Sequence, residues 1–323
     1  MPSYIFTTRG ILGGDFTTEP AAADQVRYLR VPDDGMIAPT CEIPVATWVN
    51  EVQLTAAAGA LPQLAAGGEP VGAVLVFVHG YNNSRADVLA RHRVLQQDLA
   101  AAGWAGVVVS YDWPSANLAL NYLEDRADAK STAFALVSGG IRLLAATQRA
   151  GCTLAVHLLA HSTGAYIVRE AFDHADDNAV LRGQPWGAGQ CVFVAGDVSS
   201  DSLVDGDSAR SLYRHVARLT NYSNGADEVL QISNLKRLGA APRVGRVGLP
   251  EAAPDCAVNV DCTAYWKGLD EAQRRYPGGA FCHSWYFGDL GFTRDLAETL
   301  HGGLDRAAIP GRVAVAPHRF ALT

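Results

Sequence analysis

Hydrophobic positions along the chain gather into short unbroken runs, and each run stops at small or polar residues. Ala73-Val74-Leu75-Val76-Phe77-Val78 is the clearest, ending in His79-Gly80-Tyr81-Asn82-Asn83. A strand apolar on both faces belongs inside a parallel sheet covered by helices. Ser84 to Ala101 follows with helical spacing through Val88, Leu89, Val94, Leu95 and Leu99. Val107 to Ser110 predicts a second buried strand, ending in Tyr111-Asp112-Trp113-Pro114, and a helix is predicted around Ala127 to Ala146. Thr153 to Leu159 predicts a third strand, Cys191 to Ala195 a fourth and Val216 to Tyr222 a fifth. Val229 to Leu238 reads as a helix, Ala257 to Val260 as the last strand and Phe292 to Leu300 as a closing helix. Strands alternating with helices predict an α/β fold with a doubly wound, mostly parallel sheet. Ligands of such a sheet bind at the carboxyl ends of its strands.

The first seventy residues read differently. Tyr4 to Thr8 and Gln25 to Val31 are short β-branched or aromatic stretches that read as two early strands, a hairpin or a sheet edge, with Gly13, Gly14 and Pro20 in the loop between them. Ile43 to Leu54 is expected to be a third strand. Ala56 to Gly72 is rich in Ala, Gly and Pro and has no period, as a linker would be. The expected organisation is a β-rich extension over 1–70, packed on a catalytic domain over 71–323.

The chemistry centres on Thr153 to Tyr166. A mostly apolar strand stops at Ala160-His161-Ser162-Thr163-Gly164, and a helical pattern begins at once. Strand, tight turn and helix with serine at the apex resembles the Gly-x-Ser-x-Gly nucleophile elbow of α/β-hydrolases, with alanine in place of the first glycine. Small residues flank such a serine because its turn is strained and crowded. The other reading of Ser162 is an ordinary helix N-cap.

A serine hydroxyl needs a base to take its proton, and an acid to hold that base in the right tautomer. In α/β-hydrolases these follow in the order serine, acid, histidine. Asp197 and Asp227 both end later strands, and Asp227 is favoured because the small residues of Ser223-Asn224-Gly225-Ala226 let a turn aim it inward. It could equally cap the next helix. Of the histidines beyond it, His301 ends a predicted helix and His318 lies in the tail. His283, in Phe281 to Phe287 between the last strand and the last helix, is the expected base. His161 is expected to line the site or pack beneath it, and His215 precedes the acid and breaks the order. Two main-chain N–H donors must await the oxyanion. Thr163 and Tyr81 are the expected donors, with Gly80 letting the loop approach. His79, Gly80, Trp113, His161 and Trp285 are expected around the substrate, with Tyr81, Trp113, Trp285 and Tyr286 as an aromatic rim.

Val76 to Asn83, Trp113-Pro114-Ser115, Ala160 to Gly164 and His283-Ser284 together resemble a bacterial branch of the α/β-hydrolases usually labelled esterase/lipase-like. The resemblance covers roughly Ala73 to Phe287. It implies Ser162 as nucleophile, His283 as base and Asp227 as acid. The expected substrate is a small-molecule ester of short or medium acyl chain. The same triad serves amidases, thioesterases and acyltransferases, and a non-catalytic binding module could keep the fold.

Composition narrows the partners. The 323 residues are 49% hydrophobic and 18% charged, with a net charge of −7. That balance argues against nucleic acid or an anionic membrane surface as partner, since both need clustered Lys and Arg. No apolar run approaches a membrane span. Met1 to Phe16 lacks the build of a secretory signal, so the expected address is the cytoplasm. No Cys-x-x-Cys occurs among six cysteines, so no zinc site is expected, and the sequence leaves open whether Cys256 and Cys262 pair. Neither phosphate-binding glycine motif follows an early strand, so no nucleotide or other cofactor is expected. Nothing in the sequence specifies an oligomeric state.

Overall fold

The computed structural model of the chain describes residues 1–22, 25–59, 72–115, 132–146, 154–182, 186–206, 208–235, 242–270 and 281–323. Its strands are β1 (Ser3–Thr7), β2 (Arg9–Leu12), β3 (Asp15–Pro20), β4 (Arg27–Val31), β5 (Gly72–Val78) and β6 (Val107–Asp112). Then come β7 (Leu154–His161), β8 (Ala188–Val194), β9 (Val216–Ser223), β10 (Ala257–Asp261), β11 (Arg312–Ala316) and β12 (Arg319–Leu322). The helices used below are α1 (Val45–Ala58), α2 (Arg85–Ala101), α3 (Thr163–Asp177), α4 (Glu228–Leu235) and α5 (Leu290–His301).

Ten strands form one sheet in the order β11-β12-β10-β9-β8-β7-β5-β6-β1-β4. The two edge strands, β11 and β4, run antiparallel to their neighbours, and the eight between them are parallel. The fold is therefore the doubly wound, mostly parallel sheet that the apolar runs predict. Its strands alternate as expected of a sheet covered on both faces. Val74, Val76 and Val78 of β5 join a core with Trp48 and Val52 of α1 and Ala165 and Val168 of α3. Leu75 and Phe77 join the opposite core with Leu95 and Leu99 of α2 and Phe292 and Leu296 of α5.

Strand order reverses at β5. The chain goes from β5 to β6 on one side, then returns to place β7 on the other. The loop after β5 and the turn after β7 are thus neighbours at the carboxyl edge, where such a reversal opens a crevice.

Three expectations change. Ile43 to Leu54 is not a strand: Val45 to Ala58 is helical, and Trp48, Val52 and Ala56 are its buried positions. Their four-residue spacing outweighs the β-branched composition. The first loop is itself a hairpin, β2 and β3, turned by Gly13 and Gly14 with φ of 62° and 84°. Two central residues at positive φ match the twist of a hairpin. Ala257–Asp261 is not the last strand either. β11 and β12 follow it, joined by a turn in which His318 has φ 57°. The two early strands, β1 and β4, pair antiparallel and form one edge of the main sheet. The expected linker from 60 onward, the start of the helix expected at Ala127 and the end of that expected at Leu238 lie outside the described residues.

Candidate active site

Ser162 sits between β7 and α3 with φ 55° and ψ −123°. A non-glycine residue in this region is strained, and the surrounding structure must hold it there. It is held from both sides: Ser162 N–H donates to the Val194 carbonyl at 3.0 Å, and Asp197 N–H donates to the Ser162 carbonyl at 2.9 Å. The Ser162 side chain makes no helix-capping hydrogen bond. The plain N-cap reading therefore fails for this serine, and its hydroxyl is not used to start the helix.

The neighbouring small residues are explained by contact. A Cβ on Gly164 would stand 2.3 Å from the Val78 carbonyl oxygen. A Cβ on Gly80 would stand 2.8 Å from the Ser162 Cβ and 3.2 Å from His161 Nδ1. Ala160 is fully buried at the first elbow position, where its methyl group is accommodated.

Asp227 and His283 meet. His283 Nδ1 lies 2.7 Å from Asp227 Oδ2, with the carboxylate fully buried and the imidazole 7% exposed. The other carboxylate oxygen, Oδ1, accepts the Leu230 N–H at 3.0 Å. Asp227 thus both caps α4 and orients a histidine, one oxygen for each. Asp197 goes elsewhere, to Arg243 Nε at 3.1 Å and the Ser233 hydroxyl at 3.1 Å.

His161 brings His283 beside the elbow. Its Nε2 is 2.9 Å from the His283 carbonyl oxygen, and the two ring centroids are 4.9 Å apart. Carbonyl oxygens only accept, so Nε2 carries the proton. Arg91 stands 3.4 Å from His161 Nδ1. Burial, with His283 and the Arg91 charge beside it, keeps the His161 imidazole neutral, its pKa well below the ordinary histidine range. His161 is buried, its ring against that of His283.

The loop after β5 carries Tyr81, half-buried, beside the elbow. Two donors hold the Gly80 carbonyl: His79 Nδ1 at 2.8 Å and Asn83 Nδ2 at 2.7 Å. A peptide is planar, so fixing that oxygen fixes the opposite direction of the Tyr81 N–H. The Trp113 N–H donates to His79 Nε2 at 3.2 Å, which leaves the ring proton on Nδ1. The Trp113 indole N–H donates to the His79 carbonyl at 2.9 Å, and the rings stack 5.3 Å apart. The other expected donor, Thr163, opens α3, so its N–H has no carbonyl a turn earlier.

Trp113, Trp285 and Tyr286 are buried at 1%, 3% and 1% exposure. Of the four expected rim aromatics, Tyr81 is the one with part of its surface open. Sequence reasoning missed Asn83, Ser115, Asp112 and Arg9, which brace this loop. The signal available was a polar Asn-Asn pair and an aspartate closing otherwise apolar strands. Cys256 and Cys262 do not pair; both are free thiols. Among the described residues no group of His, Cys, Asp and Glu is arranged to hold a metal ion, and no helix is long and apolar enough to cross a membrane.

A family model described as "Alpha/beta hydrolase of unknown function (DUF900)" matches residues 64–269. The match includes Ser162 and Asp227 and ends before His283. No curated protein matches the chain. Similar solved structures include two of low identity. A cutinase-like protein from Cryptococcus sp. is 14% identical, with 72% of this chain and 96% of that one covered and a TM-score of 0.36. A structure from Lactobacillus plantarum WCFS1, described as a cell surface hydrolase, is 13% identical, with 70% and 88% covered and a TM-score of 0.34.

Proposed function

The chain belongs to the alpha/beta hydrolase family DUF900, and from that membership we propose that it is a serine hydrolase cleaving carboxylic esters through an acyl-enzyme. The observation that carries the reading is the 2.7 Å contact of His283 Nδ1 with the buried Asp227 carboxylate, His283 being held in turn by His161, the residue before a serine at φ 55°. Asp227 keeps the His283 proton on Nδ1 and leaves Nε2 bare to act as base. Ser162 Oγ attacks the ester carbonyl carbon and its proton passes to His283 Nε2. The oxyanion forms against the N–H groups of Tyr81 and Thr163, already aimed before the reaction. As the tetrahedral adduct collapses, the bond to the alcohol breaks and His283 returns the proton to the leaving oxygen. Water then repeats the sequence on the acyl-serine and frees the acid.

Acyl groups of short or medium length fit this reading, as do Gly80, His79, Trp113, His161 and Trp285 in or under the substrate's bed. A fluorophosphonate probe should label the wild type and not Ser162→Ala. p-Nitrophenyl esters of rising chain length, assayed beside an anilide, then rank ester against amide cleavage. A folded wild type that takes no probe and turns over none of these substrates would leave a binding module of hydrolase fold.

A further inference from the structure

The family match begins at residue 64, yet the cation at the centre of the oxyanion-loop scaffold comes from the N-terminal hairpin. Arg9 opens β2 and is 2% exposed. Its Nε donates to both Asp112 carboxylate oxygens at 2.9 Å. Its NH2 group donates to the Asn83 carbonyl and to the Trp113 carbonyl, each at 3.3 Å. One guanidinium therefore ties the end of β6 to the loop after β5.

Both tied residues act on the same peptide. Asn83 donates from Nδ2 to the carbonyls of Gly80 and Tyr81, at 2.7 and 2.9 Å. Trp113 holds His79 at its ring and at its carbonyl, and His79 holds the Gly80 carbonyl. Ser115 closes the frame, its hydroxyl accepting the Asn83 N–H at 3.1 Å. Two of these bonds, from His79 Nδ1 and Asn83 Nδ2, end on the carbonyl of the Gly80–Tyr81 peptide, and the others hold the two donors and the peptides on either side; Gly80 itself abuts Ser162.

We propose that Arg9 is a positioning residue for the oxyanion site: through Asn83, Trp113 and Asp112 it fixes the plane of the Gly80–Tyr81 peptide, and so the aim of the Tyr81 N–H. A buried ion pair is a poor source of stability compared with apolar packing of the same volume. What a planar five-donor fork supplies is geometry, and lysine cannot reproduce it. This inference rests on the serine-hydrolase reading above, since only there does the Tyr81 N–H meet developing charge.

The test compares wild type with Arg9→Lys, and with the double variant Arg9→Met/Asp112→Asn, which leaves no buried charge unpartnered if the single variant folds poorly. Turnover of a p-nitrophenyl ester is normalised to sites titrated with fluorophosphonate. The kcat should fall about 10- to 100-fold, as for a donor displaced by a fraction of an ångström, while KM stays within about threefold. A trifluoromethyl ketone, which forms the tetrahedral oxyanion on the serine, should lose affinity by about the factor lost in kcat/KM. A merely structural role would lower the number of titrated sites and leave both quantities per site unchanged. A folded variant with wild-type kcat and ketone affinity per site overturns the proposal and leaves the hydrolase reading standing. A wild type that neither titrates nor turns over ester removes that reading, and this proposal with it.

Discussion

The imidazole of His161 donates from Nε2 to the main-chain carbonyl of His283 at 2.9 Å, so the residue before the elbow serine holds the backbone of the residue paired with Asp227. Phe287 packs edge-on against the same ring at 5.1 Å, and Arg91 covers Phe287. These contacts hold the ring rigid, which matters if His283 is the base we propose, because a displacement of about 1 Å can cost on the order of a hundredfold in rate.

His161→Phe keeps the ring's bulk and removes its donor. It should lower kcat of ester hydrolysis about tenfold, with KM little changed and the melting temperature reduced by only a few degrees, since one hydrogen bond contributes about 1 kcal/mol. His161→Gln, whose amide can still donate, should recover part of the loss. Equal activity of His161→Phe and wild type would show that the contact does not position the base.

Asp227 and Asp197 separate cleanly. In Asp227→Asn the cap on α4 survives through the amide oxygen, so the fold should persist, but the tautomer of His283 is no longer enforced. Turnover should fall about 10³- to 10⁴-fold. Asp197→Asn weakens the pairing with Arg243, both residues at least nine-tenths buried, and should cost stability while leaving kcat per folded molecule near wild type. Steady-state kinetics beside thermal melts decides between them, and the reverse ranking would move the acid to Asp197.

Much of this arrangement was legible because strand ends and chain order constrain it. Unbroken apolar runs at Ala73 to Val78 and Thr153 to Leu159 predicted buried parallel strands, and each strand led directly into a site loop. Asp227 was ambiguous in the sequence for a physical reason: one of its oxygens caps α4 while the other meets His283. Two kinds of feature were not legible. α1 hides its four-residue spacing among β-branched residues, and the hairpin of β11 and β12 joins the sheet only where β12 meets the distant β10. Arg9 lies 103 positions from Asp112 in the chain, and no local pattern announces a contact of that range.

Gly80 has no room for a side chain. Its alanine variant would press a methyl group within 2.8 Å of the Ser162 Cβ, and backbone on one side prevents easy retreat. Gly80→Ala should fold, since the crowding is confined to one loop, yet lose at least about a hundredfold in kcat as the loop shifts its N–H. Fluorophosphonate labelling should slow in parallel. Labelling at the wild-type rate would mean that the loop yields without harm and that its peptide plays no part in the chemistry.

Acid should destabilise the fold through its buried histidines. Burial holds His92 down to about 3, with Arg93 adding to it, and His157 down to about 4, with His301 adding to it. His161 and His79 are lowered chiefly by burial as well. Unfolded, each takes up a proton near 6.5; folded, His92 and His157 do so only near 3 and near 4, His161 only well below 6.5, and His79 below it. Between pH 6.5 and about 4 the unfolded chain therefore binds more protons, and unfolding becomes easier as the pH falls, by up to about 1.4 kcal/mol per pH unit for each such histidine. Asp112 extends the same trend lower. Burial would raise its carboxyl, but the Arg9 charge and its hydrogen bonds hold it at about 2, so its contribution is intact above 3.8 and lost only between there and about 2. Urea midpoints measured at pH 7.5, 6.0 and 5.0 should drop steeply across the series, and His157→Gln should flatten the slope by about one proton's worth. Midpoints that stay level down to pH 5 would mean that these imidazoles are charged in the folded chain, and that the buried hydrogen bonds of His92 to Ser110 and of His157 to the Gln190 N–H are made in another protonation state.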